Sequence, residues 1–286
     1  MLLDAISPFE IVANRVVWSL VLLIIILAVR RKWAPLVAAM RSGRTVGLLA
    51  IAAVMISVNW GVYAYAVTND HVVEASLGYF INPLVSVTLG VVLLRERLRT
   101  LQWTAVAIGA VAVVVLTASY GRPPWISLIL AFSFGFYGLF KKIADVGAVE
   151  SLTIETALLL PIALIVMLGF ARSGHGALVT AGAGTVVLLI LLGPVTAIPL
   201  LAFGAATTRI PLSTLGLIQY LTPTIQFLLG LTVFATYVPP ERWLGVGIIW
   251  FALVIFSWDA VRHARRVSDH TEAPSTIDEL EVTVPD

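Results

Sequence analysis

The sequence has no cysteine, so no disulfide bond contributes to the stability of this chain. Charge is also scarce, because 12% of the 286 residues are charged whereas 59% are hydrophobic. A typical soluble domain has about 25% charged residues. One soluble core cannot bury so much apolar material, which therefore has to be solvated by lipid. The sequence predicts an all-α fold, a polytopic membrane helix bundle.

Groups that would support catalysis or metal binding are missing from the apolar runs. The four histidines, at positions 71, 175, 263 and 270, are scattered over loops and the tail, and no HExxH or paired-acid motif occurs. An enzyme acting on lipid within the membrane would need such clustered groups. A glycine-rich loop followed by Lys and Ser or Thr, which would bind ATP phosphates, is also missing. We therefore expect no catalytic residue, no metal, no cofactor and no enzymatic activity.

Nine apolar runs, each close to the length of a transmembrane helix, alternate with short polar loops. The first run is too long for the core of a signal peptide, and its basic residues follow it instead of preceding it, so it is predicted to be a retained span. The runs comprise residues 9–29, 45–67, 72–94, 101–118, 125–140, 151–171, 185–206, 212–235 and 242–261.

The basic residues predict the orientation of the spans. If the first span runs inward, 14 of the 18 Lys and Arg residues fall in cytoplasmic segments, three fall in outer loops, and Arg15 lies within the first span. The carboxy terminus is then cytoplasmic, in a multi-pass protein of the cell (plasma) membrane. Residues 263–286 are predicted to form a disordered acidic tail. The basic membrane domain suits anionic lipid headgroups, and nothing indicates a nucleic acid as partner.

Two of the spans share a pattern of residues. Aligning Pro83 with Pro223 also matches, without a gap, two further pairs: Gly90 with Gly230 and Trp103 with Trp243. These spans are third and eighth in the count and therefore cross the membrane in opposite directions, which is typical of inverted repeats. We expect five-helix repeats at residues 1–119 and 120–262. The first repeat supplies only four helices, so one helix is expected to be missing.

Polar residues form a stripe in both proline-bearing spans. Tyr79, Asn82 and Ser86 share one helix face, and Gln219, Thr222 and Gln226 occupy the same offsets in the second copy. Such stripes would hydrogen-bond a solute where the repeats meet. The alternative is hydrogen bonding between helices, which is common in membranes. The two prolines are predicted to act as hinges, with a static kink as the alternative.

Further candidates lie on other spans. Asn59, Trp60 and Tyr63 are on the second span, and Pro199 and Phe203 occupy the matching offsets in the second half. Tyr137 is in a row with Ser133 and Lys141 on the fifth span, and Tyr220 adjoins the second polar stripe. Aromatic groups of this kind suit a planar or amphipathic solute, although ordinary packing is the alternative.

Three ionisable residues lie within or beside predicted spans. Glu74, at the outer end of the third span, is a candidate for binding a coupling proton or a cationic solute. It is also explained by an exposed position at the membrane interface. Arg15 and Glu155 occupy the first and sixth spans. Both are interpreted first as structural anchors or as partners of an opposite charge.

Four segments resemble a known family. They are EASLGYFINPL at 74–84, LRERLRTLQW at 94–103, LAFSFGFYGLFKK at 130–142 and STLGLIQYLTPT at 213–224. Together they are similar to the RarD group of the EamA-type drug/metabolite transporter superfamily. The resemblance implies ten helices in two inverted repeats with both termini cytoplasmic. It also implies a permease associated with chloramphenicol sensitivity, and it does not fix the solute.

These observations predict a secondary transporter, a permease or exporter that works by alternating access. Its partner is expected to be a small organic metabolite or drug-like solute, with a proton as a possible coupling ion. The alternative is a passive channel or a membrane accessory protein that does not transport. The predicted cavity is lined by Asn59, Trp60, Tyr63, Glu74, Tyr79, Asn82, Ser86, Tyr137, Gln219, Tyr220, Thr222 and Gln226.

Overall fold

The computed structural model describes residues 6–31, 33–118, 123–174, 176–177, 182–232, 243 and 247–259. Regular structure in this part of the chain is entirely helical, which confirms the predicted fold class. The acidic tail lies outside the described residues. The helices are α1 (Pro8–Arg30), α2 (Trp33–Arg41), α3 (Gly43–Thr68), α4 (Val72–Val92), α5 (Thr100–Ala118), α6 (Trp125–Ala144), α7 (Ala148–Arg172), α8 (Ala183–Arg209), α9 (Leu212–Gln219), α10 (Leu221–Thr232) and α11 (Gly247–Asp259).

Six of the described helices, α1, α3, α4, α6, α7 and α8, are long and apolar enough to cross a membrane. Their outer faces carry large hydrophobic side chains that no other described part of the chain covers. Ile165 on α7 is 69% exposed and Val195 on α8 is 67% exposed. Apolar surface of this extent would be a liability in water, whereas lipid tails solvate it.

Helix α4 is the most buried of these six helices and lies at the centre of the bundle. It packs against α6 and α9 at positions where a glycine leaves room for close approach of the two helices. A Cβ atom on Gly135 of α6 would lie 2.7 Å from Val85 Cγ1, and one on Gly216 of α9 would lie 2.9 Å from the Pro83 carbonyl oxygen. Small residues of this kind let helix backbones approach closely in membranes.

Helix α1 packs on the other side of the bundle, against α7 and α8. The Ser19 hydroxyl of α1 donates a hydrogen bond to the Gly193 carbonyl oxygen of α8 at 3.2 Å. Leu23 on α1 is fully buried and packs in one cluster with Leu152 of α7 and Ala197 of α8. This arrangement brings a face of the first span into the interior of the protein.

Two features of the helices differ from the sequence-based prediction. The short helix α2 lies between the first two spans, where a loop was expected. The run 212–235, predicted as one span, is interrupted at Tyr220. Helix α9 ends just before this residue, and α10 begins just after it. Pro223 has no N–H to donate to the Gln219 carbonyl, so the helix loses a hydrogen bond at this point.

Candidate functional site

A cavity of about 470 Å³ lies between seven helices, a volume typical of small-molecule sites. Its wall combines aromatic rings, amide side chains and one arginine, with small apolar residues between them. The lining residues are Arg15 from α1, Asn59, Trp60 and Tyr63 from α3, Ala75, Gly78, Tyr79 and Asn82 from α4, Leu130 and Phe134 from α6, Pro199, Leu200 and Phe203 from α8, and Gln219 and Thr222 from α9 and α10.

Most of the residues proposed from the sequence for the cavity are brought together on this wall. They come from α3 and from the two proline-bearing segments, which are far apart in the chain. Asn82 and Thr222, the central residues of the two polar stripes, both lie on it. The predicted residues found there are Asn59, Trp60, Tyr63, Tyr79, Asn82, Gln219 and Thr222, together with Arg15.

A hydrogen bond between two amides links the proline-bearing segments at the wall. Asn82 Nδ2 of α4 donates to Gln219 Oε1 of α9 at 2.6 Å. The second polar atom of each amide, Asn82 Oδ1 and Gln219 Nε2, has no partner in the described part of the chain. If both amides were rotated, the pair would still leave one donor and one acceptor unused. The pair can therefore offer one hydrogen bond of each kind to a solute.

Residues of α3 contribute to the aromatic part of the wall. The rings of Tyr63 and Tyr79 meet edge to face, with centroids 6.4 Å apart. Asn59 is fixed by α6, because its Nδ2 donates to the Leu130 carbonyl oxygen at 2.9 Å and to Ser133 Oγ at 3.1 Å. This hydrogen bonding supports the α3–α6 contact and orients Asn59 at the cavity edge.

Glu74 occupies a different place. Its carboxylate is buried, 1% exposed, and is not part of the wall. Glu74 Oε1 accepts a hydrogen bond from the Ile126 N–H at 2.9 Å, in the first turn of α6. The Ser127 hydroxyl donates to the Glu74 carbonyl oxygen. Because the first N–H groups of a helix lack partners within the helix, a carboxylate placed there caps α6.

Tyr137 and Glu155 belong to a second polar cluster, which is separate from the cavity wall. Lys141 Nζ is 2.6 Å from Glu155 Oε1, and both side chains are 1% exposed. The Tyr137 hydroxyl donates to Glu155 Oε2 at 3.1 Å, and Lys141 Nζ donates to Ser151 Oγ at 2.9 Å. A buried ion pair with additional hydrogen bonds joins α6 to α7.

The remaining predicted residues also lie elsewhere. Ser86 is buried where α4 crosses α9, and a Cβ atom on Gly216 would lie 2.9 Å from Ser86 Cβ. Tyr220 is 1% exposed, and its hydroxyl lies against Gly109 of α5. The Gln226 side chain lies outside the described residues. Neither Ser86 nor Tyr220 is part of the wall.

The two predicted hinge prolines lie one residue after wall residues. Pro83 is within α4, which remains helical through it, whereas Pro223 is in α10, three residues after the break at Tyr220. Each proline removes the helical donor for the carbonyl four residues earlier. Those carbonyls belong to Tyr79 and Gln219, which both line the cavity.

Several wall residues were not assigned to the site by the sequence. Leu130, Phe134 and Leu200 are apolar, and a helical spacing of apolar residues does not separate a cavity wall from ordinary packing. Pro199 and Phe203 were found only through their offset in the second half. Among the described residues, no group of three or more His, Asp or Glu side chains forms a metal site.

Apolar helices around a cavity with polar and aromatic walls define a class, the polytopic membrane proteins.

Comparison with known proteins identifies the family. Residues 1–118 match the EamA-like transporter family. Protein RarD of Streptomyces exfoliatus is 52% identical over 272 residues, which cover 95% of this chain and 86% of that protein. Protein RarD of Escherichia coli (strain K12) is 42% identical over 91% of this chain and 88% of its own length. An uncharacterized transporter, YojE of Bacillus subtilis (strain 168), is 41% identical over 94% and 91%.

The chain therefore belongs to the RarD group of the EamA-like transporters, within the drug/metabolite transporter superfamily. It is a multi-pass membrane transporter. A solved structure, described only as "Crystal structure of protein", has the same fold, with a TM-score of 0.68 and 18% identity over 93% of this chain and 91% of that one.

Proposed function

We propose that this transporter is a secondary carrier, a permease or exporter that moves a small organic solute by alternating access. In this proposal, residues 1–119 and 120–262 are two inverted repeats that rock around the cavity. The carboxy terminus is cytoplasmic, and the protein resides in the cell membrane. A proton is the proposed coupling ion, with Glu74 as the first candidate to carry it.

The observation that carries the proposal is the hydrogen bond between Asn82 and Gln219. It joins two segments separated by 137 residues, at the wall of a cavity and next to a proline in each segment. A carrier needs contacts between its two halves that hold one state and are released in the other. Two amides, each with an unused polar atom, are suited to exchange this contact for contacts with a solute.

Counterflow in proteoliposomes tests the carrier mechanism. Purified protein is reconstituted and loaded in turn with unlabelled chloramphenicol and with a set of unlabelled aromatic acids, amides and amines, and uptake of the same labelled compound is measured. A carrier is expected to show saturable uptake that is accelerated by solute on the opposite side. Linear flux without acceleration would identify a passive channel, and no flux of any compound would contradict the carrier proposal.

Variants of the two amides test the cavity itself. We expect Asn82→Ala and Gln219→Ala each to weaken solute affinity by about threefold to tenfold, because each removes one hydrogen-bonding group from the wall. Asn69→Ala is the matched control, since Asn69 is exposed at the end of α3 and is not part of the wall. Wild-type affinity in both cavity variants would assign the amides to helix packing.

A further inference from the structure

Arg15 is the only charged residue on the described wall of the cavity. Helix α1 contributes this side chain alone, and the other lining residues are neutral. Lys141, a fully buried cation among the described residues, already has a carboxylate partner in Glu155 at 2.6 Å. The cavity therefore carries a net positive charge from a single guanidinium.

The guanidinium of Arg15 has no anionic partner in the described part of the chain. Arg15 Nε is buried and unpaired, and no hydrogen bond or ion pair joins Arg15 to another described residue. Two buried acids, Glu10 of α1 and Glu74 of α4, are engaged elsewhere, since Glu10 accepts from the Ala177 N–H at 2.7 Å and Glu74 from the Ile126 N–H at 2.9 Å. A cation within the membrane that lacks a counter-ion is costly and usually marks a functional site.

The surroundings of Arg15 provide further donors. Tyr63 and Tyr79 lie near its guanidinium, and both line the cavity. A tyrosine hydroxyl can donate to an anion, and an arginine offers a planar fork of N–H donors that matches a carboxylate. This corner of the cavity can therefore hold one anionic group by several hydrogen bonds.

Apart from its amide and hydroxyl side chains, the rest of the wall is apolar and suits an uncharged body. Trp60, Phe134 and Phe203 supply aromatic surface, and Leu130 and Leu200 supply aliphatic surface. Because the wall holds one positive charge, it balances one negative charge. A phosphate monoester carries about −1.5 to −2 at neutral pH and would be only partly compensated. The balance favours a carboxylate.

We propose that Arg15 binds the carboxylate of the solute, so that the transported molecule is a small organic monocarboxylate with an apolar or aromatic body. This inference rests on the proposed function, since it assumes that the cavity is the solute site. Under this inference, Arg15 selects solutes by charge, whereas from the sequence alone it is interpreted first as a structural anchor.

Binding to protein in nanodiscs tests the inference without requiring transport. The probes are phenylacetate, indole-3-acetate and 4-methylpentanoate, each paired with its primary amide, together with phenyl phosphate. Affinity is measured from the shift in thermal unfolding with probe concentration. At least one carboxylate is expected to bind, with its amide weaker by roughly tenfold or more, because a hydrogen-bonded charge pair is lost.

Three variants identify the residue responsible. Arg15→Gln is expected to weaken carboxylate binding by roughly tenfold or more and to abolish the preference over the amide, whereas Arg15→Lys keeps part of that preference. Arg30→Gln is the matched control, because Arg30 is an exposed arginine at the other end of the same helix. The unfolding temperature and gel-filtration profile of Arg15→Gln without probe show whether it folds. If Arg15→Gln does not fold, the preference for a carboxylate over its amide is compared between Arg15→Lys and the wild type instead.

Specific results would overturn the inference. These are a panel in which no carboxylate binds, amides that bind as well as their acids, phenyl phosphate binding more tightly than every carboxylate, or an Arg15→Gln variant with wild-type preference. Failure of the carrier proposal has a different signature. A carboxylate that binds through Arg15 but shows no counterflow would leave the inference standing, whereas counterflow of a neutral solute that is indifferent to Arg15→Gln would refute only the inference.

Discussion

The ion pair between Lys141 and Glu155 leads to a test of how this bundle is stabilised. Removing one member leaves the other charge buried without compensation, and in proteins this typically costs about 3–5 kcal/mol. Both side chains are 1% exposed and the two charged atoms are 2.6 Å apart, so neither charge reaches water. We therefore expect Lys141→Met and Glu155→Gln each to destabilise the protein by about 3–5 kcal/mol.

The double variant is expected to be more stable than either single variant. It buries no charge, and the amide of Gln at position 155 can still accept from the Tyr137 hydroxyl. The lost contacts are those from Lys141 to Ser151 and to Glu155. At about 0.6 kcal/mol for a hydrogen bond between membrane helices, their loss costs about 1 kcal/mol. The single and double variants should thus show strong non-additivity.

Reversible unfolding by SDS in mixed micelles, followed by tryptophan fluorescence, provides the free energies of unfolding. Lys142→Met is the matched control, because Lys142 Nζ donates to the Thr207 and Ile210 carbonyl oxygens at 3.1 and 2.8 Å without pairing with an acid. Its loss at the end of α8 should cost about 1 kcal/mol or less. Additive effects of the Lys141 and Glu155 substitutions would refute the reasoning.

Two further predictions concern α4. Gly216→Ala should destabilise the bundle by about 1–3 kcal/mol, because the added Cβ would lie 2.9 Å from the Pro83 carbonyl oxygen. Gly61→Ala is the control, as nothing lies within 4 Å of the Cβ position there, and equal effects on SDS unfolding would contradict the packing argument. Glu74→Gln should fold, since its amide oxygen can still accept from the Ile126 N–H, and should transport without pH dependence. Unchanged pH dependence in proteoliposomes would restrict Glu74 to capping α6.

The sequence predicted the membrane class, the helix positions and much of the cavity wall because these depend on local pattern. Apolar length defines a span, and polar residues spaced along one face of a span indicate a protected surface. Asn82 and Gln219 were found in this way, through two stripes with equal spacing. The pairing between them is consistent with the matched prolines beside them.

Tyr137 and Tyr220, which the sequence assigned to the cavity, lie elsewhere and have partners on other helices. Tyr137 is on the expected face of α6, but that face meets Glu155 of α7, and a helical spacing alone does not reveal which neighbour covers it. Tyr220 directly follows Gln219, yet the helix ends there and the side chain packs against Gly109 of α5. In both cases the packing of neighbouring helices determines whether the side chain faces the cavity or another helix.

The acids that cap helices show the same dependence and explain why Arg15 stands apart. Glu96 accepts from the N–H groups of Leu212 and Ser213 at 2.7 and 2.8 Å, 116 and 117 residues away in the chain, and caps the start of α9. Glu74 does the same for α6. Backbone N–H groups at helix starts lack partners within the helix, so these carboxylates and amides satisfy each other. Backbone N–H groups cannot satisfy an arginine in this way, because a guanidinium accepts no hydrogen bond. It needs an anion or carbonyl oxygens. With Glu74 and Glu96 at helix starts and Glu155 paired with Lys141, the charge on Arg15 remains available for an anion that enters the cavity from outside the chain.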